Sequence, residues 1–118
     1  MIESYIYTSC TSCRNTDAML KESGVEYVSR DFFKQRFSAD ELRDVLTRAN
    51  LTPRDALSKR SKVYKARAEE IDALDDDALL ALMLDEPTLL RRPLVIGDGG
   101  AILGHSAPKL AELIAANR

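Results

Sequence analysis

A short apolar strand, Ile2 to Tyr7, runs into Cys10-Thr11-Ser12-Cys13, and a helix-forming stretch from Cys13 to Lys21 follows before Gly24. No other stretch constrains the fold as tightly. β-Branched and aromatic residues favour the strand. Ala18, Met19 and Leu20, with Gly24 as a left-handed stop, favour the helix. Val25 to Ser29 alternates and reads as a second strand. Strand, helix and strand within about thirty residues make a βαβ unit with parallel strands and a right-handed crossover. Cys10 then lies at a helix N-terminus, where unpaired N–H groups and the positive end of the macrodipole favour a thiolate. Arg14 in the first turn opposes that dipole and suits the position only beside an anion.

Cys10 and Cys13 are the only cysteines among 118 residues. A structural disulfide is disfavoured without a secretory signal, because the cytosol keeps thiols reduced. Zinc takes about four ligands, and His105 is the only histidine, so no metal is expected. Inert packing would need neither this spacing nor this position. Redox or nucleophilic chemistry is therefore expected, with metal binding and inert packing as the alternatives. A net charge of −2 argues against direct nucleic-acid binding. The 45% hydrophobic and 31% charged shares are those of a globular domain. No apolar run reaches membrane-spanning length, and Met1-Ile2-Glu3 begins a strand rather than a signal peptide. A cytoplasmic protein, one domain over 1–118, monomeric and without membrane contact, is the expectation.

Further along, Arg30 to Phe37 reads as a loop pinned by Phe32, Phe33 and Phe37. Ser38 and Glu41 form a capping box, and Phe37 with Leu42 a hydrophobic staple, opening a helix with Leu42, Val45, Leu46 and Ala49 on its apolar face. Thr52 and Pro53 signal a short helix through Leu57. Ser61 to Ala68 holds another turn or two. Asp75-Asp76-Asp77 begins a helix that buries Leu79, Leu80, Leu82 and Met83. A short helical piece spans Thr88 to Leu90. Pro93 to Ile96 and Ala101 to Leu103 form an antiparallel hairpin about Asp98-Gly99-Gly100. Ser106 caps a last helix that buries Leu110, Leu113 and Ile114.

The order βαβ, helical insertion, ββα predicts an α/β thioredoxin-like fold with a mixed four-stranded sheet and an all-helical insertion at about 31–90. It places Cys10 at the carboxyl end of a parallel strand, where α/β sheets bind ligands. Two arginines are candidates for the same place. Arg60 lies in the basic run Arg54 to Arg67, which is either a solvated face or a source of cations for a thiolate or oxyanion. Arg92 precedes Pro93, the candidate for the cis proline that faces the cysteine in thioredoxin-like folds; a structural role for Arg92 is the alternative. His105, in the turn before the last helix, has a minor anion-binding role at most.

Cys10-Thr11-Ser12-Cys13-Arg14, Arg60-Ser61-Lys62-Val63-Tyr64 and Leu89-Leu90-Arg91-Arg92-Pro93-Leu94-Val95-Ile96, in that order, resemble the ArsC/Spx family of arsenate reductases and redox regulators. The resemblance implies catalysis by Cys10, Cys13, Arg14 and Arg92, with Cys10 the nucleophile and Cys13 its partner, and anion binding by Arg60, Arg92, Pro93 and His105. It implies no bound cofactor but a thiol electron donor, either glutathione with glutaredoxin or thioredoxin. The reductase branch implies an oxyanion or protein-disulfide substrate, and Arg14-Asn15-Thr16 matches its triplet after the cysteine. The regulator branch implies the α-subunit of RNA polymerase as partner and carries the Cys-x-x-Cys pair. Its partner contact uses a glycine where this chain has Asn50-Leu51-Thr52-Pro53. The balance favours the enzyme, with the regulator as alternative.

Overall fold

In a computed structural model describing residues 1–118, Ile2–Ile6 (β1), Thr11–Ser23 (α1) and Tyr27–Asp31 (β2) form the expected βαβ unit. Leu94–Gly97 (β3) and Gly100–Leu103 (β4) form the hairpin, and Ala107–Ala116 is the last helix. The sheet order is β2-β1-β3-β4, with β1 parallel to β2 and antiparallel to β3. This is the thioredoxin-like arrangement with a mixed four-stranded sheet. Gly99, at φ 96°, occupies the hairpin turn in a conformation that L side chains rarely adopt. Gly24 ends α1 in the left-handed conformation, as its position predicts.

The chain divides into two compact units, Met1–Gln35 with Arg92–Arg118, and Arg36–Arg91. In the first, Leu20 of α1 and Leu110, Leu113 and Ile114 of the last helix pack with Ile2, Val95 and Ile102 of the sheet. Burying one such leucine is worth about 1.5–3 kcal/mol. β2 is displaced from its expected place: it begins at Tyr27 and runs on through Arg30 and Asp31, which pair with Tyr5 and Ile6. A parallel strand ends where its neighbour ends, so β1 sets this boundary and the local alternation at Val25 does not. Val25 packs into the core ahead of the strand.

In the second unit, Ala39–Arg48 is α2, opened by the capping box: Ser38 Oγ accepts from Glu41 N at 3.2 Å and Glu41 Oε1 from Ser38 N at 3.0 Å. Such a cap is worth about 1 kcal/mol. Asn50, at φ 58°, takes the left-handed turn beyond α2, a position asparagine tolerates without glycine. The helix expected from Thr52 to Leu57 is a single turn. Thr52 and Asp55 cap each other, but Leu57 then pairs antiparallel with Leu90, and Ser58 N donates to Leu89 O at 2.7 Å. That pairing takes the backbone groups a helix would have used. Lys62–Ala66 (α3), Ala68–Asp72 (α4) and Asp76–Asp85 (α5) follow, then a 3₁₀ turn at Pro87–Leu89. Asp75 caps α5, accepting from Ala78 N at 2.8 Å. Leu79, Leu80 and Met83 are buried as expected; Leu82, off that arc, is only half-buried. The last helix of the first unit, Ala107–Ala116, is α6. No helix is long and apolar enough to cross a membrane.

Candidate active site: two unequal thiols and an arginine

Tyr7, the first residue after β1, opens a turn closed by Cys10 N donating to Tyr7 O at 2.9 Å. The turn delivers Cys10 to the N-cap of α1 in extended conformation, at φ −87° and ψ 124°. Cys10 is half-buried, whereas Cys13, one turn into the helix, has no exposed surface. The two thiols therefore differ in acidity. Burial raises the Cys10 pKa, but the Cys13 N–H and thiol, the Arg92 charge and the Ser12 N–H outweigh it, so the net shift is downward. Burial dominates at Cys13 and pushes its pKa up to about 12. The Tyr7 N–H, 3.5 Å from Cys13 Sγ, and the Arg92 charge only partly offset that burial and the adjacent Cys10.

Arg92 is half-buried, and the Arg92-Pro93 peptide bond is cis. Its guanidinium carbon lies 5.6 Å from the Tyr7 ring centroid and 5.5 Å from that of Phe33. Those rings stack with centroids 3.9 Å apart and planes 16° from parallel. A carbon nearly equidistant from two stacked rings borders both and caps neither outer face. Arg92 Nε is buried with no hydrogen-bond partner in the protein, so the side chain is shaped by walls rather than by a carboxylate. The loop after β4 approaches the same proline, Gly104 N donating to Pro93 O at 2.8 Å.

The other expected site residues are placed as follows. Exposed Arg14 turns its Nη2 to Thr11 Oγ1 at 3.4 Å, so the nearby cation that lowers the Cys10 pKa is Arg92. His105 is exposed, and its Nδ1 is 2.8 Å from the hydroxyl of buried Thr16 on α1, which ties the β4–α6 loop to the helix that carries both thiols. Arg60 is exposed in the second unit, before the Ser61 cap of α3.

Sequence reasoning missed Asp31. Its Oδ2 accepts from Thr8 N at 3.2 Å and Thr8 Oγ1 at 2.9 Å; its Oδ1 accepts from Phe33 N at 2.9 Å and Lys34 N at 3.2 Å. Burial raises the Asp31 pKa, but these four donors outweigh it and leave it below the usual carboxylate value. An aspartate opening a loop is a recognised Asx-turn signal, which accounts for the Phe33 and Lys34 bonds. No local signal reports the bonds to Thr8, 23 residues away.

The ArsC family pattern matches residues 5–113. The chain belongs to the ArsC family. Among its relatives is the global transcriptional regulator Spx 1 of Lactococcus lactis, 38% identical over 93% of this chain and 86% of that one. Spx of Staphylococcus epidermidis is 30% identical over 97% and 87%. Among solved structures, an arsenate reductase candidate from Yersinia pestis is 25% identical, with a TM-score of 0.81 over 95% of this chain and 99% of that one. The arsenate reductase of Vibrio cholerae, 24% identical over 98% of this chain and 96% of that one, has a TM-score of 0.78 and shares the fold.

The split between the thiols gives this ArsC-family chain a pH signature in stability. A thiol with a lowered folded pKa favours folding above that value, so Cys10 adds stability as pH rises toward the free-thiol range. Cys13, raised to about 12, works the other way. Its contribution is fully present below the unfolded value of about 8.5 and is lost as pH rises toward the folded value, by up to about 1.4 kcal/mol per pH unit. Urea melts between about pH 8.5 and 10 under reductant should show falling stability, with Cys13→Ala less steep than wild type. Equal slopes would show that Cys13 is not held protonated.

Proposed function

We propose that this protein is a thiol–disulfide redox protein in which Cys10 is the nucleophile and Cys13 the resolving thiol. The observation that carries this reading is the split between a half-buried thiol of lowered pKa and a fully buried one raised to about 12. A thiolate attacks, and a protonated neighbour waits its turn. With a disulfide substrate, Cys10 Sγ attacks one sulfur and expels the other as a thiolate. Cys13 then gives up its proton to solvent or to the leaving group, attacks Cys10 Sγ, and expels the second thiolate. Two protein thiols are oxidised and one substrate disulfide is reduced. With arsenate, Cys10 Sγ displaces a hydroxyl as water and forms an S–As(V) bond. Attack by Cys13 on Cys10 Sγ then sends that bond pair to arsenic, which departs as arsenite. Arg92 balances the charge of thiolate and oxyanion. Glutathione with glutaredoxin, or thioredoxin, returns the electrons, which fits a reducing cytoplasm.

A second reading is a redox-controlled regulator that binds the RNA polymerase α-subunit when Cys10 and Cys13 are joined. Its support is the 38% identity to Spx 1. Both readings require the intramolecular disulfide. Mild oxidation should join the two cysteines reversibly, and Cys13→Ser should instead stop at a Cys10 mixed disulfide or sulfenic acid. Two free thiols by mass spectrometry after oxidation would sink both. Arsenate and disulfide reduction with each donor system, run beside a binding assay of oxidised and reduced protein on the polymerase α-subunit, separates the readings.

A further inference from the structure

We infer that Asp31 is the positioning residue of the thiol site: its carboxylate holds both the turn that delivers Cys10 and the aromatic pair that seats Arg92. This rests on the redox reading, since it concerns what makes Cys10 reactive.

The geometry divides into two arms from one side chain. Oδ2 takes both donors of Thr8, the residue after Tyr7 in the turn that closes at Cys10. Oδ1 takes the N–H groups of Phe33 and Lys34, which fixes the backbone beneath the Phe33 ring. Phe33 stacks on Tyr7, and Arg92 borders both rings with its Nε buried and unpartnered. Without a carboxylate to aim it, the guanidinium stays where the rings leave room. The Arg92 charge in turn is one of the influences that lower the Cys10 pKa. Asp31 is itself placed by β2, whose pairing with β1 sets Asp31 opposite Ile6. Neutral donors can fill a carboxylate in this way without a cation, which leaves Arg92 free to serve the thiolate.

Two roles for Asp31 predict opposite signs. A bystander anion would raise the thiol pKa by charge, so removing it would make Cys10 more reactive. A positioning residue does the reverse. Asparagine keeps the shape but has one acceptor oxygen, and its amide group would face N–H donors. The test follows Cys10 alkylation by iodoacetamide against pH in the full chain, with thermal melts alongside. The nearby groups that bear on this titration are Cys13 and Arg92, so each variant is also made in a Cys13→Ser background. Asp31→Asn should slow alkylation at pH 7 by roughly three- to tenfold and move the inflection upward. Phe33→Leu should act in the same direction through Arg92 alone, and Phe33→Tyr, which keeps the stack, should restore wild-type reactivity. If Asp31→Asn fails to fold, Thr8→Val, which removes the hydroxyl donor to Oδ2, tests the first arm and the Phe33 pair the second. Unchanged or faster alkylation in Asp31→Asn, or in both Thr8→Val and Phe33→Leu, overturns the positioning role while leaving the redox reading intact. Ordinary thiol reactivity in the wild type overturns both.

Discussion

Replacing Cys10 by serine is expected to abolish thiol exchange and yet make the protein more stable at a pH low enough to keep the Cys10 thiol protonated. The two effects come from one position. As a nucleophile, a serine hydroxyl neither ionises near neutral pH nor forms a disulfide, so reduction of any disulfide or oxyanion should fall to the buffer background. As an N-cap, the neutral thiol is a poor choice: it makes no capping hydrogen bond, the first turn of α1 holds no acidic residue, and only the thiolate draws on the Ser12 and Cys13 N–H groups. Serine in the same extended conformation can accept from the N–H groups of the first turn, a gain of about 0.5–1 kcal/mol. For a chain of this size that is a rise of about 2–6 °C in Tm. Activity assays paired with thermal melts at acidic pH, where the wild-type thiol is neutral, check it. Retained exchange in Cys10→Ser would move the nucleophile to Cys13, and an unchanged Tm would mean that the N-cap needs no side-chain acceptor here.

The second large effect is expected at Arg92. Arg92→Ala removes the cation that favours the Cys10 thiolate, so the Cys10 titration should move upward. Alkylation at pH 7 should fall by roughly three- to tenfold. Reduction of an oxyanion should fall further, since the anion loses a partner as well as its attacking thiolate. Arg92→Lys separates the two roles. It keeps the charge but loses the planar fork that grips an oxyanion in two places. Its alkylation profile should stay near wild type while oxyanion turnover is impaired and disulfide reduction is largely spared. Melts must accompany the assays, because Arg92 precedes β3 and borders two aromatic rings. A lowered Tm in Arg92→Ala with an unmoved Cys10 titration would make Arg92 structural. The anion would then belong to the N–H groups of Ser12 and Cys13.

The regulator and the enzyme make the same demands on this chemistry and differ in what reads the result. A switch needs the Cys10–Cys13 disulfide to persist until a partner binds, whereas an enzyme needs a donor to remove it quickly. The unequal thiols serve either.

Features governed by neighbours in sequence were legible without coordinates. The N-cap position of Cys10, the left-handed stop at Gly24, the capping box of Ser38 and Glu41, and the hairpin about Asp98-Gly99 each depend on backbone preferences and hydrogen bonds within a few residues. So did the parallel βαβ unit, because a short helix between two strands leaves one crossover that packs. Elsewhere a distant partner decided. β2 extends to Asp31 because β1 is there to pair with it, and the stretch after Thr52 leaves the helix because residues near Leu89 and Leu90 take its backbone groups. Cys10 could be chosen as the nucleophile from sequence alone, since the helix N-terminus travels with the motif. The N–H groups and Arg92 that make its thiol acidic were both candidates in the sequence; why Cys13 stays protonated was not legible, because its burial arises only when remote segments meet. Asp31 is the clearest case: its Asx turn is local, but its hold on Thr8 is a contact between the ends of two parallel strands that the folded sheet alone brings together.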